Sequence, residues 1–478
     1  MKNSIITNYL YNILYQIVKM ITPIIVIPYT YSHITAKTLG IYDYAFAIAE
    51  WFILFGMMGI NTYGNREVAK VRDNRVKLSY TFKEIVCIQR IDMFIACLLY
   101  ILIALIFVKN NVAIYLIVLM HLLSSMFDIT WFFYGLEEFK KTCTRSIFVR
   151  LATVFFIFCF CHTEQDLYIY AFINVGFEFL GQLLLYYKID NYIDNININF
   201  IDAYKKHIKP TIQLFVPTIA ISVYTMLDQT MLGYMYSKEH LEYYKTSLSF
   251  VKMFLYFITA IGTVMLPRIT NMFYKTHKDM KKIEGIINST LEVVLLLAIP
   301  MVVGMYIVSP VFISWYLPTA SEVGILIQIS SIIVIFMSVS NVLGIQFLIP
   351  VGMYNEYTKS VCVGAIINFM FNLIMIPRYG AYGAIIGSVL AEFLVAVVEF
   401  YFVRKCIKIK LINIRTIIYL VASLIMGITI RFFIQMIDNA IFSSIISILI
   451  GVLIYFVILY VLKDIYLMKI IDKIKNRY

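Results

Sequence analysis

Continuous apolar stretches of about 20 residues recur along this chain and constrain its fold more than any other feature. VLLLAIPMVVGMYIV at 294–308 is one of them. A helix of about 20 residues crosses ~30 Å of hydrocarbon and satisfies its own backbone hydrogen bonds there. The strands of an outer-membrane barrel would instead alternate apolar and polar residues over about ten positions. The composition agrees with spanning helices. Of 478 residues, 61% are hydrophobic and 14% charged, against about 25% charged in a soluble domain. Too few polar side chains exist to cover a water-facing surface. A cytosolic enzyme, a secreted domain and a disordered chain are excluded, and a polytopic membrane protein is expected.

The pattern predicts fourteen helices, at 5–29, 42–60, 85–108, 112–134, 146–162, 167–188, 210–234, 248–267, 289–309, 324–349, 359–377, 380–403, 415–434 and 443–462. Alternate loops hold thirty of the forty lysines and arginines, and the loops between them hold only five, Lys37, Lys109, Lys238, Lys245 and Arg378. Such a bias marks the cytoplasmic side. Both termini are therefore expected in the cytoplasm. The net charge of +12 is accounted for by topology, so no nucleic-acid partner is expected. The first apolar stretch is long, contains Lys19 and lacks a small-residue cleavage site, so no cleavable signal peptide is expected. The seven cysteines form no CxxC pair and lie mostly in apolar segments, so they read as free thiols without a metal. The loops are too short to fold alone, and no phosphate-binding glycine loop occurs.

An internal repeat is expected from weak matches. At a shift of 202 residues Leu39 meets Leu241, Tyr42 meets Tyr244, Phe52 meets Phe254, Phe55 meets Phe257 and Arg66 meets Arg268. The units are separated by an even number of helices and so keep one orientation. The expected architecture is all-α. Two six-helix lobes (1–190 and 205–405) are related by a pseudo-two-fold axis along the membrane normal. Two additional helices and a tail follow at 406–478.

Ionisable groups inside spans usually face a cavity or a partner. On the first helix Asn8, Asn12, Gln16 and Lys19 step by four, four and three residues, which is one helical face. Pro23 suggests a bend. The seventh helix repeats the design with Thr218, Ser222, Thr225 and Gln229, with Asp228 beside the stripe. These residues are the candidate substrate-binding groups of a shared cavity. The fourth helix places His121, Ser124, Ser125 and Asp128 on one face, with His121 and Asp128 as a candidate pair. The sixth carries Asn174, Glu178 and Gln182. Glu50 and Lys252 stand at equivalent positions under the shift, which makes them a candidate gate that attracts when the outer side closes. Asp128, Glu178, Arg66 and Arg268 complete the gating and coupling candidates.

Phe127-Asp128-Ile129-Thr130-Trp131-Phe132-Phe133-Tyr134-Gly135-Leu136-Glu137-Glu138-Phe139-Lys140, after the fourth span, resembles a motif of the O-antigen and capsular polysaccharide repeat-unit flippases. This family lies within the multidrug/oligosaccharidyl-lipid/polysaccharide exporter superfamily. Tyr224–Gly233, Asn65–Ala69, Leu266–Ile269 and the Pro28-Tyr29 step resemble further motifs of it. Gln229 departs from the pattern, standing where the family often has a basic residue. The resemblance covers roughly 5–405. It implies a two-lobed cavity that alternates between inward and outward openings in the bacterial inner membrane. It implies an undecaprenyl-diphosphate-linked oligosaccharide as substrate, membrane lipid as surroundings, and a polymerase and chain-length regulator of the same pathway as partners. No enzyme activity and no cofactor are implied, and coupling to a proton or sodium gradient is chemically open to Asp228, Glu178 and Asp128. Two other functions compete. A multidrug/cation antiporter of the same superfamily would want an acidic cavity, whereas this one includes Lys19 and Lys252. A membrane-embedded polysaccharide polymerase would want a large outside loop, which the spacing does not allow.

Overall fold

The computed structural model describes residues 2–187, 189–275 and 280–475. It is helical throughout, with no strand among the described residues. The chain divides into two compact units, Met1–Glu242 and Tyr243–Tyr478.

The first unit holds α1 Lys2–His33, α2 Ala36–Met57, α3 Ile60–Val71, α4 Arg75–Phe107, α5 Val112–Met126, α6 Thr130–Gly135, α7 Phe139–Phe160, α8 Leu167–Leu185 and α9 Phe200–Met235. Helix ends follow from capping and backbone chemistry. The Asn74 side chain accepts the amide of Lys77 at 3.0 Å and starts α4, and Asn199 accepts that of Ile201 at 3.1 Å and starts α9, as short polar N-caps do. Gly59 at φ 80° separates α2 from α3, a left-handed position that suits glycine. α5 packs on α2, α4 and α8, and α1 packs on α7. The segment after α8 folds back on the start of α4, where Arg75 Nε donates to Asp194 Oδ1 at 2.8 Å and Lys83 Nζ to Asn195 Oδ1 at 2.7 Å.

The spans expected at 85–108 and 210–234 extend to α4 and α9. Residues assigned to loops continue the helix back to the capping asparagine, in α4 with no proline or glycine among them and in α9 through Pro210. α9 was expected to open the second lobe; it packs on α2, α3 and α4 of the first unit. The fourth span departs more sharply from a single helix. It breaks at 127–129, and Asp128 Oδ1 accepts the Thr130 amide at 2.8 Å to start α6 afresh.

α10 Lys238–Lys275 leads into the second unit. There follow α11 Met280–Tyr316, α12 Glu322–Ser330, α13 Ile333–Ser340, a π-helix at Asn341–Leu348, α14 Ile349–Val351, α15 Tyr354–Tyr379, α16 Ala381–Val403, α17 Ile414–Met436, α18 Ala440–Val461 and α19 Ile465–Lys475. α15 and α16 form a hairpin about Gly380 at φ 55°. At Gly383 a Cβ would lie 2.6 Å from the Met375 carbonyl oxygen, so only glycine lets the two helices approach. α17 and α18 pack on α11. They are tied there by Arg415 Nη1 on Glu292 Oε2 at 2.5 Å and by Tyr455 Oη, which donates to the Leu296 carbonyl at 2.7 Å.

Twelve helical stretches among the described residues are long and apolar enough to cross a membrane. α9 and α10, of 36 and 38 residues, run through the two remaining expected spans. Two repeat-related tyrosines occupy matching places. Tyr42 on α2 meets Tyr170 on α8 edge-on at 5.5 Å, and Tyr244 on α10 meets Ser388 on α16 at 3.1 Å. In each case the helix of the second expected span of a lobe meets that of the sixth.

Candidate functional site

The first unit carries an ionic network inside its membrane-spanning helices. His121 on α5 is buried and stacks on Phe46 with ring centroids 4.2 Å apart. Its Nε2 lies 2.8 Å from Glu50 Oε1 on α2, and its Nδ1 lies 2.9 Å from Glu178 Oε2 on α8. Each contact needs one hydrogen. The three groups therefore share two protons, either as an imidazolium between two carboxylates or as a neutral ring with one carboxylic acid. The network can hold or release a proton without leaving the helix bundle. His121 and Asp128 do not pair, contrary to the expectation from helical spacing. The break after Met126 takes Asp128 off that face and spends its carboxylate on the α6 cap.

A second cluster surrounds the break. Arg145 Nη2 donates to Thr130 Oγ1 and to Gln182 Oε1, both at 3.1 Å. Gln89 on α4 donates from Nε2 to the carbonyls of Ser125 and Asp128 at 2.8 Å each, and its Oε1 accepts the Trp131 indole N–H at 3.0 Å. One amide thus serves the Asp128 carbonyl at the break and adds a second donor to the Ser125 carbonyl, which also accepts the Asp128 amide at 3.2 Å. Trp131, Phe132 and Phe133 are all fully buried. The aromatic motif is therefore packing of the first unit. α6 lies so close to α3 that a Cβ on Gly64 would meet Trp131 at 2.5 Å, and one on Gly135 would meet Val68 at 2.6 Å.

The remaining candidates fall as follows. On α1, Gln16 is exposed and Lys19 half-buried, while the side chains of Asn8 and Asn12 lie outside the described residues. On α9, Asp228 is buried, Thr225 is exposed and donates to the Ser222 carbonyl at 2.9 Å, and Gln229 is half-buried. The side chain of Thr218 lies outside the described residues, as does that of Arg268. Arg66 is taken up by the adjacent Glu67 at 3.1 Å, which Lys70 also reaches at 2.8 Å. Lys252 is exposed on α10. Sequence reading passed over Gln89 and placed Arg145 in a loop. Gln89 had one signal, an amide beside Arg90 and Asp92 inside the expected span 85–108. It also passed over Asp92, which is buried with Tyr204 Oη donating to its Oδ1 at 3.3 Å.

This architecture defines an all-α polytopic membrane protein. The fold superposes on the lipid II flippase MurJ in its inward closed conformation with a TM-score of 0.75 at 15% identity, covering 98% of this chain and 100% of that one. An inward-facing multidrug transporter of the MOP superfamily matches at a TM-score of 0.60 and 11% identity, over 82% of this chain and 93% of that one. Such likenesses show the fold. In sequence, residues 5–273 match the family described as polysaccharide biosynthesis protein, and the chain belongs to it. A protein of Escherichia coli (strain K12) described as a candidate O-antigen transporter is 21% identical over 84% of this chain and 98% of its own length. An uncharacterized membrane protein of Methanocaldococcus jannaschii is 28% identical over 42% of this chain, which spans only 39% of that relative.

Proposed function

We propose that this protein flips undecaprenyl-diphosphate-linked oligosaccharide repeat units from the inner to the outer leaflet of the bacterial inner membrane by alternating access, for O-antigen or capsule synthesis. The observation that carries the reading is the polar face of α1. Gln16 is exposed and Lys19 half-buried in the middle of a helix that crosses the membrane. Such groups are costly against lipid and useful against a hydrated cargo. A diphosphate needs a counter-charge and sugars need hydrogen-bond partners, which Lys19, Gln16 and the Ser222–Thr225–Gln229 face of α9 offer. Family membership and the full-length likeness in fold to a lipid II flippase support the cargo class.

In this reading the basic loops face the cytoplasm, and both termini with them. The Glu50–His121–Glu178 network provides groups through which a proton gradient can drive the cycle, with Asp228 and Asp128 as further coupling candidates. A polymerase and chain-length regulator of the same pathway receive the product. The test is complementation of a flippase-null strain with defined repeat units. Restored surface polysaccharide supports the reading, and no restoration with any repeat unit, despite normal membrane insertion, overturns it.

A further inference from the structure

We propose that Glu399 of the second unit is a proton-binding site, separate from the network around His121. Glu399 sits near the end of α16 and is fully buried. Among the described residues no lysine, arginine or histidine forms an ion pair with it. The groups facing it are Ser340 from α13, Ser360 and Tyr357 from α15, and Glu392 two turns earlier on its own helix. A charged carboxylate in such surroundings has lost its water and gained no counter-charge.

Ser340 offers the carboxyl one donor, while the contacts of Ser360 favour the neutral acid. Ser360 has one hydroxyl hydrogen and two oxygen neighbours, the Tyr357 carbonyl at 2.7 Å and Glu399 Oε1 at 3.3 Å. The shorter contact takes the hydrogen. A Ser360 lone pair then faces the carboxyl, and it is satisfied when Glu399 itself carries the hydrogen and donates. The other oxygen, Oε2, is buried without a hydrogen-bond partner. A neutral acid tolerates that better than a carboxylate, whose two oxygens both demand donors.

The neighbouring backbone is unusual at this point. The π-helix Asn341–Leu348 passes directly over the carboxyl, and a Cβ on Gly344 would collide with Glu399 Oε1. Two residues on, Gln346 is fully buried with its Oε1 lacking a partner. π-helical turns recur at functional sites because they spoil the regular backbone ladder. The single event is O–H formation between the carboxylate and a proton from bulk water. Loss of that proton would place a charge against Gly344 and the π-turn, making this segment the one that responds.

The test needs no substrate, so its outcome stands apart from that of the flippase reading. The purified chain in lipid nanodiscs is examined by infrared spectroscopy across neutral and alkaline pH. The wild type should show the carbonyl stretch of a protonated carboxyl at neutral pH. That band should vanish in Glu399→Gln and persist in Glu392→Gln. Should Glu399→Gln fail to assemble, Gly344→Ala reads the same group. The added methyl presses on Oε1, so the band must shift. A wild-type spectrum unchanged in Glu399→Gln, a band lost in Glu392→Gln instead, or an unmoved band in Gly344→Ala overturns the proposal. So does disappearance of the band on adding sodium at fixed pH, which would assign the oxygens to a metal cation.

Discussion

Glu50 on α2 and Glu178 on α8 are joined through one imidazole, His121 Nε2 standing 2.8 Å from the first carboxylate and Nδ1 2.9 Å from the second. Two acidic groups on separate helices would repel without it. The ring therefore links α2, α5 and α8 mechanically and electrically. Changing its protonation changes what holds the three helices together.

Removing the ring tests this directly. His121→Ala leaves two carboxylates facing each other across a cavity, and it should cost about 1–3 kcal/mol of stability. The melting temperature of the detergent-solubilised protein should fall accordingly. The triple variant that adds Glu50→Gln and Glu178→Gln should recover part of the loss. An unmoved melting temperature in His121→Ala would show that the network carries no structural load.

Gln89 should be equally intolerant of change, for a different reason. Gln89→Leu keeps the volume but strands the Asp128 carbonyl and the Trp131 indole N–H, and removes one of two donors to the Ser125 carbonyl. Each buried group left unmade costs about 1–3 kcal/mol. Reduced expression and a broadened gel-filtration peak are expected, and Gln89→Glu should fare no better, because its carboxylate has no hydrogen to give the two carbonyls it would face.

Gly135→Ala should loosen the packing of α6 on α3. The new methyl would stand 2.6 Å from Val68 Cγ1 and 2.9 Å from the Asn65 carbonyl oxygen. Overpacking of this kind costs about 1–3 kcal/mol. Coupling Gly135→Ala with Val68→Ala should restore little of the thermal stability, because Val68 Cβ at 2.7 Å and the Asn65 carbonyl oxygen at 2.9 Å both remain in the way.

Lys19 is the test of the cargo. Lys19→Ala should abolish surface polysaccharide while the protein still inserts, and Lys19→Arg should keep part of the activity. The lost interaction is a counter-charge in a low-dielectric cavity, where ion attraction exceeds that in water. Normal polysaccharide from the Ala variant would return Lys19 to a packing role.

Topology is open to reporter fusions. Fusions at Ser237 and Thr319 should report the periplasm, and fusions within 61–84 and 268–288 the cytoplasm. Cytoplasmic signals at both Ser237 and Thr319 would contradict the positive-inside assignment.

The sequence by itself determined the class of fold. Apolar runs long enough to cross a bilayer, and a bias of lysine and arginine toward alternate loops, depend only on position along the chain. The repeat was an expectation of the same kind; in the structure Tyr42 meets Tyr170 and Tyr244 meets Ser388. Helical periodicity also identified polar faces, including those of α1 and α5. It does not say which other helix a face meets. His121 was seen, but its partners stand 71 and 57 residues away in the chain, and the spacing argument chose Asp128 instead. The break after Met126 decided otherwise, because Asp128 gains more by capping a new helix than by continuing the old face. The aromatic motif at Trp131 was legible as a family signature; only its contacts with Gly64 and Gln89 reveal it as packing. Glu399 was legible only as a carboxylate inside the apolar span 380–403, which sequence reading passed over. Its significance arises where α13, α15, α16 and a π-turn close around it and exclude both water and counter-charge, which is a property of tertiary structure alone.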